Sequence, residues 1–279
     1  MFDLSTPERY RLDNPPLVLA VAQINYPILG RLQSLEGITP VQEAIRGSFP
    51  YMQMVQVDQV AVVIGPIVEA SSPATAQRTI AWRFTDDAGW TLNLNPASAQ
   101  LAVGKEYTSV EDMERRLRVV LEALVTAAGV PRCDRLGVRF IDFAQIGPGE
   151  ESEWRSWFRP EIVGWTSLDI FSEGTVLQST LQQTVLVSTT GEPGPANMHA
   201  LIRNGLLPAG TVLPKPDGSQ ETLSNHAYVL DQDMFVDVPQ PMEVDALVRQ
   251  FRAMHSDIDR FFRLCLSPVG EVHFALRKL

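Results

Sequence analysis

The sequence predicts an α+β protein made of two related units, each an antiparallel sheet with a short and a long helix on one face. Two segments carry apolar residues at helical spacing, and several short segments between turn residues have the composition of strands. Both halves of the chain repeat the order of strand, short helix, strands and long helix. We therefore predict an internal duplication, with units at 1–132 and 133–279.

The first unit begins with a buried strand and a short helix. Residues 17–26 are mostly apolar and stop at Pro27, which is typical of a strand. Thr39 is a candidate N-cap with Pro40 in the first turn, so we expect a helix over 40–49. Antiparallel strands should follow at 52–64, 79–85 and 90–94.

A long amphipathic helix closes the first unit. Thr108-Ser109-Val110-Glu111 has the pattern of a capping box, and apolar residues then recur at helical spacing as far as Leu124. Glu and Arg alternate on the opposite face, which we expect to be solvated and to form i,i+4 pairs. Those charged residues are Glu111, Glu114, Arg115, Arg118 and Glu122.

The second unit repeats this order. Residues 19–26 align with residues 136–143 at small, apolar, Asn/Asp and aromatic positions, which supports the duplication. Apolar residues at helical spacing from Val244 to Cys265 predict the closing helix. The other predicted elements are strands at 136–144, 176–187, 198–207 and 227–238, and a short aromatic-rich helix at 152–158.

Composition excludes several classes of protein. The chain has 279 residues, 45% of them hydrophobic, which is typical of a globular protein. Its net charge of −10 argues against a nucleic-acid partner. We find no signal-peptide pattern and no long apolar run, and we expect a cytoplasmic protein with no membrane association. The two cysteines have no metal-ligand spacing, so neither a disulfide framework nor a zinc site is expected.

No strong catalytic motif occurs in the sequence. Gly-rich nucleotide loops, a GxSxG elbow and paired histidines at i,i+4 are all missing. We therefore assign no catalytic residue, no metal ligand and no cofactor, and a non-enzymatic function is the first hypothesis.

Polar residues at positions that otherwise have a buried pattern are the candidate pocket residues. Asp231 and Asp233 point to the same side of a strand about 7 Å apart, so they can bind a cation or act as an acid–base pair, or simply protect a sheet edge. His255 lies on the apolar stripe of the last helix. It can act there as a general base or a ligand, or it can be a core residue that is hydrogen-bonded to a neighbour.

Two strand arginines complete this set. Arg139 and Arg203 need a partner, which Asp142 or Asp231 can supply through a bidentate pair. Such a pair would either organise a pocket or tie the two halves of the chain together.

An aromatic cluster in the second unit is the candidate partner-binding surface. Trp154 and Trp157 lie beside Arg155 and Arg159, and Trp and Arg are enriched at interface hot spots. The alternative is that this segment packs on its sheet as part of the core.

Four motifs of this chain carry a family resemblance. They are Asn14-Pro15-Pro16-Leu17-Val18, Leu136-Gly137-Val138-Arg139-Phe140-Ile141-Asp142, Leu230-Asp231-Gln232-Asp233-Met234-Phe235, and a last helix with Met254-His255 and Phe261-Phe262. Together they resemble a sporadically distributed bacterial family of uncharacterised proteins of about this length. The resemblance implies a cytoplasmic accessory protein and transfers no catalytic residue.

The first functional hypothesis is therefore an adaptor that holds a segment of a protein partner on its sheets or in the groove between the units; a homodimer stays open. The alternative is a small-molecule or metal-dependent enzyme with a pocket between the helix at 244–265 and its sheet, using Asp231, Asp233, His255 and Arg203. A third hypothesis is a nucleic-acid-binding saddle of the two sheets, which the net charge opposes.

Overall fold

The structure is a computed structural model that describes residues 2, 10–57, 79–150, 153–167, 175, 177–188, 198–215, 217 and 219–278. It has a mixed α+β fold in which one nine-stranded antiparallel sheet carries several helices. The predicted α+β class is confirmed. In the ranges given, no helix combines the length and the hydropathy needed to cross a membrane.

The elements are numbered along the chain. The strands are β1 (Tyr10–Leu12), β2 (Leu17–Asn25), β3 (Tyr51–Val57), β4 (Thr79–Thr85), β5 (Trp90–Asn95), β6 (Ser98–Val103), β7 (Arg132–Cys133), β8 (Arg135–Gln145), β9 (Gln182–Val187), β10 (Met198–Leu207), β11 (Val212–Pro214), β12 (Gln220–Thr222), β13 (Ala227–Val236), β14 (Gln240–Pro241) and β15 (Leu276–Lys278). The helices are α1 (Leu35–Ile45), α2 (Val110–Thr126), α3 (Pro160–Val163), α4 (Val244–Cys265) and α5 (Pro268–His273). Short 3-10 turns lie at Gly30–Gln33, Trp154–Trp157 and Gly164–Ser167.

The large sheet is continuous across the whole fold. Its strand order is β3-β4-β5-β6-β2-β8-β13-β10-β9, and every neighbouring pair is antiparallel. Strands β2 and β8 meet at its centre, with Ala22 opposite Val138. The predicted boundary between residues 132 and 133 falls inside β7, and the large sheet contains strands from both segments. The division into two units stays a prediction.

The start of α1 differs from the prediction. Ser34, and not Thr39, is the N-cap, because its hydroxyl accepts a hydrogen bond from the backbone N–H of Gly37 at 3.2 Å. Pro40 consequently lies inside the helix, and Thr39 donates its hydroxyl to the carbonyl of Leu35 at 2.7 Å. The pattern at Thr39 and Pro40 has the composition of a helix start, but it lies five residues after the true N-cap.

The other predicted helices agree better with the structure. Helix α4 has the predicted bounds, and α2 begins after Ser109, whose hydroxyl accepts from the N–H of Asp112. The predicted i,i+4 pairs on α2 do not form. Arg118 instead pairs with Asp245 at 2.6 Å, and Glu114 pairs with Arg252, because α4 packs alongside α2.

Hydrophobic clusters lie on both faces of the sheet. The larger one fills the space between the sheet and the helices, and alternate residues of each strand point into it. The smaller one lies on the opposite face, where Leu213 and Leu223 of the β11–β12 region cover Ile141 and Phe143. We call the side of the sheet that the helices cover the helix face, and the opposite side, which carries the smaller cluster, the open face.

Some predicted elements lie partly outside the described residues. The strand predicted at 52–64 is described as β3 to Val57, and the one predicted at 176–187 is described as β9 from Gln182. The helix predicted at 152–158 is a 3-10 turn at Trp154–Trp157 in its described part.

Candidate functional site

Three of the predicted pocket residues form one charged network on the open face. Asp231 is fully buried, and the Nε and Nη2 atoms of Arg139 donate to its two carboxylate oxygens at 2.7 and 2.8 Å. Arg203 donates to the same carboxylate at 3.2 Å. Burial alone would lower the pKa of Arg139, but Asp231 outweighs it and the pKa is raised. One carboxylate thus partners both arginines and joins β8, β13 and β10.

Asp233 forms a second pair on the same face. Arg135 donates to its carboxylate oxygens at 3.1 Å, and the guanidinium lies 4.5 Å from the ring centroid of Phe235. Gly137 leaves room for this side chain, since a Cβ there would lie 2.4 Å from Nη1 of Arg135. Burial raises the pKa of Asp233, and Arg135 partly opposes this. Arginines occupy the carboxylates predicted to bind a cation, and the described residues contain no three-member His, Cys, Asp or Glu group placed as metal ligands.

His255 is a buried residue of α4 and lies over the helix face, on the other side of the sheet from Asp231. A hydrogen bond of 2.8 Å joins its Nε2 to the Tyr107 hydroxyl, and its Nδ1 lies 3.3 Å from the carboxylate of Asp259. Phe140 packs edge-on against the imidazole with 5.1 Å between ring centroids. Because Asp231 points to the open face, His255 and the arginine network do not share a pocket. Of the residues predicted for a pocket beneath the helix, His255 lines the cavity there, whereas Asp231, Asp233 and Arg203 do not.

A cavity of about 1140 Å³ lies beneath α4, between the helix, strands β8 and β13 and the segments 10–18 and 105–111. Phe140, Asp142 and Gln232 of the sheet line it. Side chains of α4, His255 and Phe262 among them, line the opposite side.

Most of the unpaired buried polar atoms belong to this cavity. Gln232 is fully buried, and neither its amide nitrogen nor its amide oxygen has a hydrogen-bond partner in the part of the chain that the structure describes. The same holds for Nη1 of Arg263, which also lines the cavity. The remaining atom of this kind is Oδ1 of Asp257, a residue whose other oxygen accepts from the backbone N–H of Phe2.

Asp142 is a buried carboxyl beside Gln232. Burial raises its pKa to about 8, and the charges of Asp259 and Asp231 add to the shift. The Gln232 amide lowers the pKa in part, although no hydrogen bond of acceptable geometry joins the two side chains. The carboxyl is therefore protonated at neutral pH and can donate a hydrogen bond.

Two tyrosines border the cavity and stay protonated. Burial raises the pKa of Tyr107 and of Tyr10 above their usual range. The Tyr10 hydroxyl donates to the backbone carbonyl of Asp259 at 2.5 Å, and the guanidinium of Arg263 lies 5.5 Å from the Tyr10 ring centroid. The cavity thus combines aromatic sides, neutral polar groups in its interior and arginines.

A smaller cavity of about 420 Å³ lies on the open face beneath the β11–β12 hairpin. Its charged groups already pair with each other, since Glu221 lies 3.2 Å from Lys215 and 3.7 Å from Lys105. Asp217 accepts from the N–H of Ser219 at 2.9 Å. This arrangement leaves the larger cavity as the better candidate site.

The predicted tryptophan anchors are core residues. Trp154 and Trp157 are each 3% exposed. Trp154 packs 5.3 Å from the ring of Tyr228, and Trp157 stacks on His273 at 3.7 Å. Neither indole is available to a partner in this packing, because the segment covers the helix face of the sheet.

The arginines of this segment lie at its surface. Arg155 is exposed over the Trp154 ring, 5.5 Å from its centroid. Arg159 is also exposed and donates from Nε to the carbonyl of Leu266 at 3.2 Å. The core alternative for the aromatic cluster is the one that this packing supports.

Sequence reasoning missed Gln232 and named Asp142 only as a partner for the strand arginines. Gln232 lies between Leu230 and Met234 on the helix face of β13, and Asp142 lies between Phe140 and Ala144 on the same face of β8. A polar residue on an otherwise apolar strand face was the available signal. The charged neighbours of Gln232, Asp231 and Asp233, point to the open face.

Comparison with known proteins adds no identity. No protein-family model matches the chain, and the comparison with curated proteins produced no match either. The resemblance to a bacterial family of uncharacterised proteins stays a prediction, and the function has to be argued from the site.

Proposed function

We propose that this protein binds a small molecule in the cavity beneath α4. The enzyme hypothesis also had a pocket between this helix and its sheet. The proposal keeps that location and His255, and it replaces Asp231, Asp233 and Arg203 by other lining residues. One observation carries it: three of the four unpaired buried polar atoms in the described residues belong to Gln232 and Arg263, and both residues line this cavity.

The energetic argument concerns unpaired groups. A buried polar group without a hydrogen bond costs about 1–3 kcal/mol, so folded proteins keep few of them. When such groups cluster in a cavity, a bound molecule that pairs with them regains this energy. The cavity of about 1140 Å³ is slightly larger than the roughly 300–1,000 Å³ of typical small-molecule sites, so it has room for a ligand.

Native mass spectrometry tests this function. The protein would be purified from its own host at gentle salt, and its native mass would be compared with the denatured mass of 31.0 kDa. We expect an added small mass on the wild-type protein and its loss from Gln232→Leu. Gln100→Leu is the matched control, because Gln100 lies on the open face of β6. An added mass that Gln232→Leu retains would contradict the proposal, as would a wild-type protein that carries no added mass and binds no small-molecule probe in titration.

A protein-binding adaptor is the second candidate function. Its support is the open face and edge of the sheet: Val185 and Val187 of β9 are 59% and 48% exposed, and no described strand pairs with the outer edge of β9. Such an edge can accept an extended segment as an additional strand. The net charge of −10 gives no support to the nucleic-acid alternative.

The adaptor function has its own test. Wild-type protein and a Val185→Lys, Val187→Lys double variant would be purified from the host and compared for co-purified chains, and sedimentation would detect a second copy. A partner or dimer lost only from the variant supports the adaptor. Equal recovery from both proteins rules out this edge.

The two halves of the sheet also support the proposed duplication. From the centre outwards the strand order is β2, β6, β5, β4, β3 on one side and β8, β13, β10, β9 on the other, so the first four positions of each side correspond and β3 is additional. Helix α2 follows β6 as α4 follows β13 and the short β14. Superposition of the Cα atoms of the two sets tests the relation: matched strands and helices should coincide in the same direction.

A further inference from the structure

The groups around the cavity beneath α4 indicate the charge of its ligand. Its lining contains five basic residues and four acidic ones, and one of the acidic residues, Asp142, keeps its proton at neutral pH. Three of the basic residues pair with acids outside the lining: Lys105 with Glu221, Arg252 with Glu114, and Arg263 with Glu271. The positive charge open to a ligand is therefore that of the guanidinium donors left unpaired. The basic residues are Arg11, Lys105, Arg252, Arg260 and Arg263, and the other acidic ones are Asp13, Glu111 and Asp259.

Two of the basic residues have donors to spare. Arg252 pairs with Glu114, whereas Arg260 forms no ion pair within 4 Å among the described residues and acts on Asp257 only through its charge, which partly opposes the rise that burial causes in the pKa of that carboxyl. Arg263 pairs with Glu271 through Nη2 at 3.5 Å and keeps its buried Nη1 unpaired. Residues 260 and 263 are three apart on α4 and so lie on one side of the helix. Guanidinium groups in this arrangement suit a phosphate or a carboxylate.

The interior of the cavity indicates the other end of the ligand. The Gln232 amide offers a donor and an acceptor side by side, so a ligand edge with an acceptor and a donor side by side can pair with both. This is the geometry by which amide side chains recognise the edges of nucleobases. Tyr107 and Phe140, whose ring centroids lie 5.3 Å apart, supply aromatic surface for a planar ring.

Groups for both ends of such a ligand line the same cavity. Gln232 and Arg263 are both lining residues, and so is Tyr10, whose ring centroid lies 5.5 Å from the Arg263 guanidinium. Resting on the proposed function, we propose that the ligand is an anion with a planar amide-like edge, of the nucleotide class: its base pairs with Gln232, and its phosphate binds Arg260 and Arg263.

Calorimetric titration with defined probes tests this inference. The probes are the monophosphates of uridine, guanosine and adenosine, uridine itself and inorganic phosphate. We expect at least one nucleotide to bind, about tenfold or more tighter than either the free nucleoside or phosphate alone. The variant Gln232→Leu should weaken nucleotide binding about tenfold or more, and Arg263→Gln should weaken the nucleotide but not the nucleoside.

Controls keep the result interpretable. Gln100→Leu should bind as the wild type does, and Gln232→Met is a second apolar variant in case Gln232→Leu does not fold, as judged by circular dichroism. Phosphate that binds as tightly as the nucleotide would overturn the base-reading part of the inference. Failure of all nucleotides would overturn the inference as a whole.

The two proposals fail in different ways. A neutral or lipid-like mass that depends on Gln232 in native mass spectrometry would overturn the nucleotide class and leave the small-molecule function standing. Absence of any bound mass, together with no binding of any probe, would overturn both.

Discussion

The replacement Gln232→Leu is the most informative single change in this protein. It removes two buried amide atoms that have no partner in the described part of the chain and keeps a side chain of similar size. Removing an unpaired buried polar group relieves a cost of about 1–3 kcal/mol. Leucine also adds buried apolar surface, at about 25 cal/mol per Å². We expect the free energy of unfolding of the ligand-free protein to rise by about 2 kcal/mol.

The measurement is thermal or urea unfolding of protein that has been stripped of bound molecules, followed by circular dichroism. A domain of 150–250 residues gains roughly 2–4 °C in Tm per kcal/mol, so the expected rise is about 4–8 °C. The control Gln100→Leu lies on the open face and should change the free energy of unfolding by less than about 0.5 kcal/mol. In the presence of ligand the order should reverse, because only the wild type gains binding energy.

One result would refute this reasoning. If stripped Gln232→Leu were as stable as the wild type or less stable, the amide would have a partner in the free protein. The clustering of unpaired groups would then no longer point to a ligand.

Three further predictions concern the charged groups and the core. Wild-type stability should fall as pH rises from about 5 to 8, because the folded protein holds a proton on Asp142 (pKa about 8) that the unfolded chain releases. Asp142→Asn should flatten this slope by up to about 1.4 kcal/mol per pH unit in urea titrations. Equal slopes for the two proteins would contradict this prediction. Asp231→Ala should cost about 3–5 kcal/mol in urea unfolding, because it leaves Arg139 without its buried partner; a loss below 1 kcal/mol would show that the network contributes little. Trp157→Ala should cost about 3–5 kcal/mol by cavity formation, whereas Arg155→Ala should be near neutral; a stable Trp157→Ala protein would show that the indole is not a core residue.

Local patterns were sufficient for the elements that depend on short-range periodicity. Helix α4, the cap of α2 and the strands β8, β10 and β13 were predicted within a few residues, because apolar spacing and capping residues report directly on backbone conformation. The start of α1 was predicted wrongly because Thr39-Pro40 has the composition of a helix start, whereas packing of the preceding turn places the cap at Ser34.

The candidate site was less accessible to such reasoning. Asp231 and Arg139 were both named from the sequence, yet their pairing at a sequence separation of 92 depends on β13 lying beside β8. His255 was named as well, but it lies on α4 over the helix face, whereas strand alternation points Asp231 to the open face.

By itself the sequence determined the α+β class, most of the helices and strands, and the presence of polar residues at positions that should be buried. Only the tertiary structure decided which of those residues meet. The reason is that side-chain direction along a strand alternates residue by residue, whereas strand order depends on contacts between distant segments. A shift of one position separates Asp231, satisfied by two arginines on the open face, from Gln232, whose unpaired amide lines the cavity beneath α4.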